Sequence, residues 1–261
     1  MATCTRILST ILLVAFSLTA CAKQQLFMAG DSTMAIKDPK DYPETGWGVP
    51  FATFFSDQVD VINLAKNGRS TRTFIEEGLW QHIVDNAKKG DYLIIQFGHN
   101  DESEAKKDRY TTPEEYQTNI SNMIAFAQEK EMSVILMTPV TRRYFDENEH
   151  IEQTHAYSQY VRKLAKSYNN SDESKFLFID MDEITRRYFQ EQGDALSQLR
   201  FMHIKPNTHP NYPNGVKDNT HFNELGAREV AQLVLAELKA ANHPLSTPLR
   251  SVDPKHLKLS Y

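Results

Sequence analysis

Two cysteines, ten glycines and eleven prolines are few for 261 residues, and each shortage excludes a class of protein. With little glycine and proline, 40% hydrophobic and 24% charged residues, the chain is neither collagen-like nor disordered nor low in complexity. Nor is there an excess of cations: 29 Lys and Arg face 34 Asp and Glu, a net charge of −5. No attraction to phosphate backbones follows, and no nucleic-acid partner is expected. The longest uncharged apolar run, Ile7 to Ala20, has 14 residues, whereas a bilayer crossing takes about 20. Also missing are the Gly-x-Ser-x-Gly elbow, Gly-x-Gly-x-x-Gly, the P-loop and His-Glu-x-x-His. His203, His209 and His221 fall within 19 residues, but with no nearby cysteine and no short-spaced pair they match no zinc pattern. Neither a metal nor any other cofactor is expected.

What is present begins with the N-terminus. Arg6 followed by the apolar run reads as an export signal over residues 1–20. The run ends in Leu18-Thr19-Ala20-Cys21, which resembles a bacterial lipobox and predicts lipidation of Cys21, with residues 21–25 as anchor and linker. Ala20-Cys21-Ala22 also satisfies a small-x-small site, so ordinary cleavage after Ala22 is the alternative. The first reading makes the protein a lipoprotein of the bacterial cell envelope, touching membrane only through Cys21; the second makes it secreted and soluble. In either case Cys4 leaves with the signal, no intrachain disulfide can form, and stability must come from the core.

Five short apolar runs punctuate the remainder: Leu26–Ala29, Val59–Ala65, Tyr92–Phe97, Ser133–Val140 and Lys175–Met181. Leu93-Ile94-Ile95 and Val134-Ile135-Leu136 are apolar on both faces, as parallel strands covered on both sides require. Helical signals lie between them. Thr112-Pro113-Glu114-Glu115 starts a helix whose buried face is Ile120, Met123, Ile124 and Ala127. His155–Tyr168 and Asn223–Ala241 are two more, the last with a stripe of Ala227, Val230, Ala231, Val234 and Leu238. The alternation predicts an α/β protein, a three-layer α/β/α sandwich on a parallel five-stranded sheet, over residues 26–242. Residues 243–261 carry three prolines and little periodicity and are expected to wrap the surface.

In such a sheet ligands bind beyond the carboxyl ends of the strands. Three polar clusters stand there: Gly30-Asp31-Ser32-Thr33, Asn67-Gly68-Arg69-Ser70 and Gly98-His99-Asn100-Asp101. A fourth, Asp218-Asn219-Thr220-His221, precedes the last helix. Together they supply the parts of an acyl-transfer site. Ser32 is the candidate nucleophile, His221 the general base and Asp218 the group that orients it, the i, i+3 spacing near a helix start putting both on one side. The N–H groups of Ser32 and Gly68 and the side-chain amide of Asn100 are candidate oxyanion donors. Taken singly, each cluster reads as an ordinary turn or cap. All four in this order, three of them after strands, do not.

These blocks resemble those of the GDSL-type SGNH hydrolases. Within that superfamily, Gly-Asp-Ser-Thr, Gly-Arg-Ser, Gly-His-Asn-Asp followed by Arg109-Tyr110-Thr111, Thr138-Pro139-Val140 and Asp218-Asn219-Thr220-His221-Phe222 are similar to the rhamnogalacturonan acetylesterase branch. The resemblance implies a flavodoxin-like fold, no metal, and removal of acetyl groups from pectic polysaccharide through an acyl-enzyme that water resolves. Arg69, Trp47 and Tyr212 are the candidate sugar contacts, since sugars are held by aromatic faces and planar polar forks; Trp80, among Leu79, Ile83 and Val84, reads as core. The segment His203–Gly215 is expected to wall the cleft beside His221. The alternatives are a lipase or thioesterase of the same superfamily and a non-catalytic carbohydrate-binding lipoprotein.

Overall fold

Alternate residues of the first strand, β1 (Gln24–Gly30), feed two different cores: Leu26 and Met28 enter one, Phe27 and Ala29 the other. That is the period of two of an extended chain, and it makes β1 an interior strand of a sheet covered on both faces. The computed structural model describes residues 23–168 and 174–250. The signal, Cys21 and residues 251–261 lie outside the described residues.

Strands β2 (Val59–Asn63), β3 (Tyr92–Gln96), β4 (Ser133–Met137) and β5 (Phe176–Ile179) join β1 in an all-parallel sheet of order β2-β1-β3-β4-β5. Helices α1 (Gly48–Ala52), α6 (Met181–Ser197) and α7 (Glu224–Ala240) cover one face. The other is covered by α2 (Thr71–Glu76), α3 (Leu79–Asn86), α4 (Pro113–Glu129) and α5 (Ser158–Ser167). The expected sandwich is therefore present. Its chain leaves β1 for β2 on one side and returns to β3 on the other, so a crevice opens where β1 and β3 end, at the reversal of strand order.

Local signals fix several boundaries. Thr112 caps α4 in a reciprocal capping box with Glu115, Pro113 occupies the first turn, and Asn223 caps α7 by accepting from the Gly226 N–H. Three features depart from the sequence reading. A separate antiparallel pair, β6 (Phe201–Ile204) and β7 (Val216–Phe222), carries His221, which is thus on a strand and not at a helix start. Helix α6 follows β5 after the single residue Asp180, whose carboxylate caps it. The described part of the C-terminal tail is seated in the fold: Leu245 is fully buried and Leu249 bridges Phe55.

Candidate active site

Ser32 owes its position to the residue before it. The Asp31 carboxylate, fully buried, accepts the Thr33 N–H at 3.0 Å and the Thr33 hydroxyl at 2.8 Å, folding the chain into a turn directly after β1. Its other oxygen accepts from His99 Nδ1 at 3.0 Å. Burial pushes the Asp31 carboxyl up, but His99 and the two Thr33 donors prevail and hold it down at about 2. Burial also lowers the pKa of His99, with Asp31 opposing, so His99 is neutral and donates its Nδ1 proton.

On the other side of Ser32, β7 is bulged. Met202 pairs with Asp218 but Phe201 pairs with Phe222, so residues 219–221 are extra. In a regular strand, residues three apart point to opposite faces; the bulge instead turns Asp218 and His221 to the same side. Asp218 Oδ1 accepts the N–H groups of Thr220 and His221, and Oδ2 accepts from His221 Nδ1 at 2.7 Å. Burial works against ionisation of Asp218, but these donors outweigh it and bring the pKa to about 2. With Nδ1 committed as donor, His221 Nε2 accepts the Ser32 hydroxyl at 2.9 Å. Ser32, His221 and Asp218 form one continuous hydrogen-bonded line.

The three residues expected to supply oxyanion donors sit in loops after three different strands and line one cavity. Among the described residues, no protein group accepts the Ser32 or Gly68 N–H. Gly68 has φ 75°, and a Cβ there would lie 3.0 Å from Arg109 Nη1, so glycine suits both the backbone conformation and the close approach. Asn100 Nδ2 gives one N–H to Arg69 O at 2.9 Å, which leaves its second N–H without a partner.

A cavity of about 370 Å³ opens over Ser32 and His221. Lys106, Arg109 and Arg142 line it together with Asp41, Glu44, Asn67, Gly68, His99, Asn100 and Thr220, and no aliphatic or phenyl side chain does. Asn67, Gly68 and Arg109 also line an adjoining cavity of about 510 Å³. Arg109 stands at the junction, its guanidinium bonded, among the described residues, to exposed Asp108 at 3.3 Å and to Asn100 Oδ1 at 3.5 Å. The sequence reading assigned no role to Lys106, Arg109 or Arg142. Arg109 was visible in the Arg-Tyr-Thr motif, but nothing in that motif says the loop folds back over Gly68. Among the described residues, no three His, Cys, Asp or Glu side chains are placed to hold a metal ion.

The proposed sugar contacts fare differently. Trp47 is fully buried and donates Nε1–H to Gln96 Oε1 at 2.8 Å, so it is a core residue beneath the site and meets no substrate. Tyr212 does not line the cavity; its hydroxyl donates to Asp41 O at 2.7 Å, and neighbouring Asn211 bonds Pro39 O and Tyr42 O. The segment 203–215 thus braces the wall that Asp41 and Glu44 form, and stands behind it. Arg69 lines only the adjoining cavity, where Glu77 and Asn67 O engage its guanidinium.

Rhamnogalacturonan acetylesterase RhgT of Bacillus subtilis is 40% identical over 88% of this chain and 96% of its own. Probable rhamnogalacturonan acetylesterase YesY of the same organism is 32% identical over 85% of this chain and 95% of its own. Among solved structures, protein YxiM of B. subtilis superposes with a TM-score of 0.69 at 25% identity over 84% of this chain, which spans 57% of that one. Axe2, an acetylxylan esterase from Geobacillus stearothermophilus, shares the fold at a TM-score of 0.57 and 16% identity, over 82% of this chain and 94% of its own. Residues 26–234 match the GDSL-like lipase/acylhydrolase family, and with that extent of match the chain belongs to it.

Proposed function

We propose that the protein is a serine esterase that removes O-acetyl groups from a rhamnogalacturonan-type pectic polysaccharide. The observation that carries the chemistry is the unbroken Ser32–His221–Asp218 line, with contacts of 2.9 and 2.7 Å, opening into a cavity with three free donors at one edge. Ser32 Oγ attacks the acetyl carbonyl as His221 Nε2 takes its proton, and Asp218 stabilises the imidazolium. The N–H groups of Ser32 and Gly68 and the free Asn100 N–H meet the carbonyl oxygen as it becomes an anion. His221 then returns the proton to the departing sugar oxygen, leaving acetyl-Ser32. Water, deprotonated by His221, attacks that ester and releases acetate.

The cavity supports a carbohydrate over a lipid substrate. A long acyl chain is bound by apolar walls, whereas this lining is charged and polar throughout. Arg109, whose carboxylate partner Asp108 is exposed, suits a carboxylate on a uronic acid, and the two relatives' names point to the same polymer. Acetate release from acetylated rhamnogalacturonan is the test. Wild type should release it and Ser32→Ala should not, while equal release by both would refute the nucleophile. Activity only on long acyl esters would refute the substrate.

The leader motif supports export and anchoring at Cys21. Fractionation tests this: wild type should sediment with membranes and Cys21→Ser should not. A soluble wild type with an unmodified N-terminus after residue 22 would refute the anchor.

A further inference from the structure

We propose that Lys37 is a positioning residue that fixes nucleophile, oxyanion loop and base strand relative to one another. Its ammonium touches none of the reacting atoms. It lies 2.6 Å from the carbonyl oxygen of Ser32, 2.7 Å from Asn67 Oδ1 and 2.7 Å from Glu44 Oε1. An ammonium has three N–H donors on one atom and no acceptor. The three acceptors match them one to one, and each comes from a different part of the site.

The Ser32 carbonyl belongs to the nucleophile itself, in a residue only 7% exposed, where a carbonyl without a donor would be costly. Asn67 directly precedes the oxyanion glycine. Glu44 reaches the third part through the backbone: it forms a β-bridge with Asn223, and the next residue's N–H, that of Thr45, donates to Phe222 O at 2.9 Å. Phe222 and Asn223 immediately follow His221. One nitrogen therefore ties together segments that the chain connects only through long excursions, among them β2 and every element between α2 and β7.

Two properties make the tie stiff. The Lys37 side chain is 5% exposed and that of Glu44 17%, so the pair is shielded from the water that weakens surface ion pairs. No shorter polar side chain with fewer donors can serve three acceptors together, and a neutral one would leave the partly buried Glu44 without its cation. The contribution expected from Lys37 is geometric. A displacement of about 1 Å between nucleophile and oxyanion donors costs on the order of 100-fold in rate.

The inference rests on the serine esterase reading, and the test separates the two. Wild type and Ser32→Ala are first compared on an aryl acetate: if they are equally active, that reading fails before Lys37 is tested. Given a Ser32-dependent rate, Lys37→Met and Lys37→Arg are assayed at a temperature where circular dichroism shows all variants folded. Lys37→Met should lower kcat about 10- to 100-fold with KM within about twofold. It should also slow covalent labelling of Ser32 by a fluorophosphonate to a similar degree. Lys37→Arg, which keeps charge and several donors, should recover a substantial part of both. A purely structural role would reduce the amount of folded protein and leave kcat and labelling rate per folded molecule unchanged. That result, or a kcat for Lys37→Met within twofold of wild type, would overturn the proposal.

Discussion

Asn100 separates catalysis from loop architecture, because its side chain does both jobs with different atoms. One Nδ2 proton ties the β3 loop to Arg69 O at 2.9 Å; the other is free for the oxyanion. Asn100→Ala removes both, together with the long 3.5 Å contact that Oδ1 accepts from Arg109. Loss of the tie costs about 1 kcal/mol, the net value of one hydrogen bond, since the part-exposed Arg69 carbonyl can be rehydrated. For a domain of this size that lowers Tm by about 2–4 °C. Loss of an oxyanion donor costs about 3–4 kcal/mol in the transition state, a fall in kcat of about 10² to 10³. KM should change little, because the ground-state carbonyl carries little of the charge being stabilised. The two effects differ by enough to be read apart: a loss of 1 kcal/mol from a stability of about 5–15 kcal/mol unfolds a negligible fraction at assay temperature. The measurements are kcat and KM on acetylated substrate and thermal unfolding of the same preparations. A variant with lowered Tm but kcat within threefold of wild type would show that the amide serves only the loop, leaving Ser32 and Gly68 as the only donors.

Four further outcomes are expected. Arg109→Ala should raise KM about 10-fold, or about 1.4 kcal/mol, on an acidic acetylated oligosaccharide and leave a neutral aryl acetate unaffected; equal losses on both would refute carboxylate recognition. Trp47→Phe should cost about 1–3 kcal/mol of stability by stranding Gln96 Oε1 with KM unchanged, and a KM effect without destabilisation would restore Trp47 as a sugar contact. His99→Asn and His221→Asn should separate, the first losing chiefly stability through the buried Asp31 contact and the second losing activity at near-normal Tm; an equal loss of activity at near-normal Tm in both would refute His99 as a structural brace. Burial raises the Asp101 carboxyl to about 7, despite the Thr71 donors, so folding opposes its ionisation. The unfolded carboxyl ionises near pH 4, so this group costs nothing below that and destabilises increasingly as pH rises through about 7, by up to about 4 kcal/mol. Asp101→Asn keeps an acceptor for Thr71 and should flatten the curve of unfolding free energy against pH over that range; curves that stay parallel would refute the assignment.

The sheet was legible in the sequence wherever a strand is buried on both faces, because such strands print as unbroken apolar runs. β3 and β4 are buried at every position. β7 reads Val-Lys-Asp-Asn-Thr-His-Phe, which carries neither alternation nor an apolar run, and its register depends on a bulge that no local pattern announces. α6 was missed because a single residue separates it from β5, leaving no polar loop to mark the boundary. Within the site, residue types in short polar clusters singled out Ser32, Gly68 and Asn100 after strands and Asp218 and His221 before the last helix as candidates, since each would act through its own chemistry. Long-range pairings were not legible. Asp31 with His99, Lys37 with Asn67, and Arg109 over Gly68 each join residues whose local sequence explains them as turn or surface. Trp47 and Tyr212 failed for the converse reason: an aromatic beside a motif is as well suited to pack under a site as to face it.

Ser32 lies between two Asp–His pairs of almost the same chemistry, and burial decides which one is the base. Asp31 and Asp218 are both held ionised at about 2, and each accepts an imidazole Nδ1 proton. The His99 side chain is 3% exposed and, although the residue borders the cavity, its Nε2 is enclosed without a hydrogen-bond partner among the described residues, so a proton arriving there would be a buried charge with nothing to stabilise it. The His221 side chain is 27% exposed, lines the cavity and has Nε2 on the Ser32 hydroxyl. Proton transfer to it places the new cation between an ionised carboxylate and solvent, where the charge is stabilised. The Asp31–His99 pair can instead hold the nucleophile turn rigid because it does not titrate during turnover. The same aspartate–imidazole contact is thus a brace on one side of Ser32 and a proton carrier on the other.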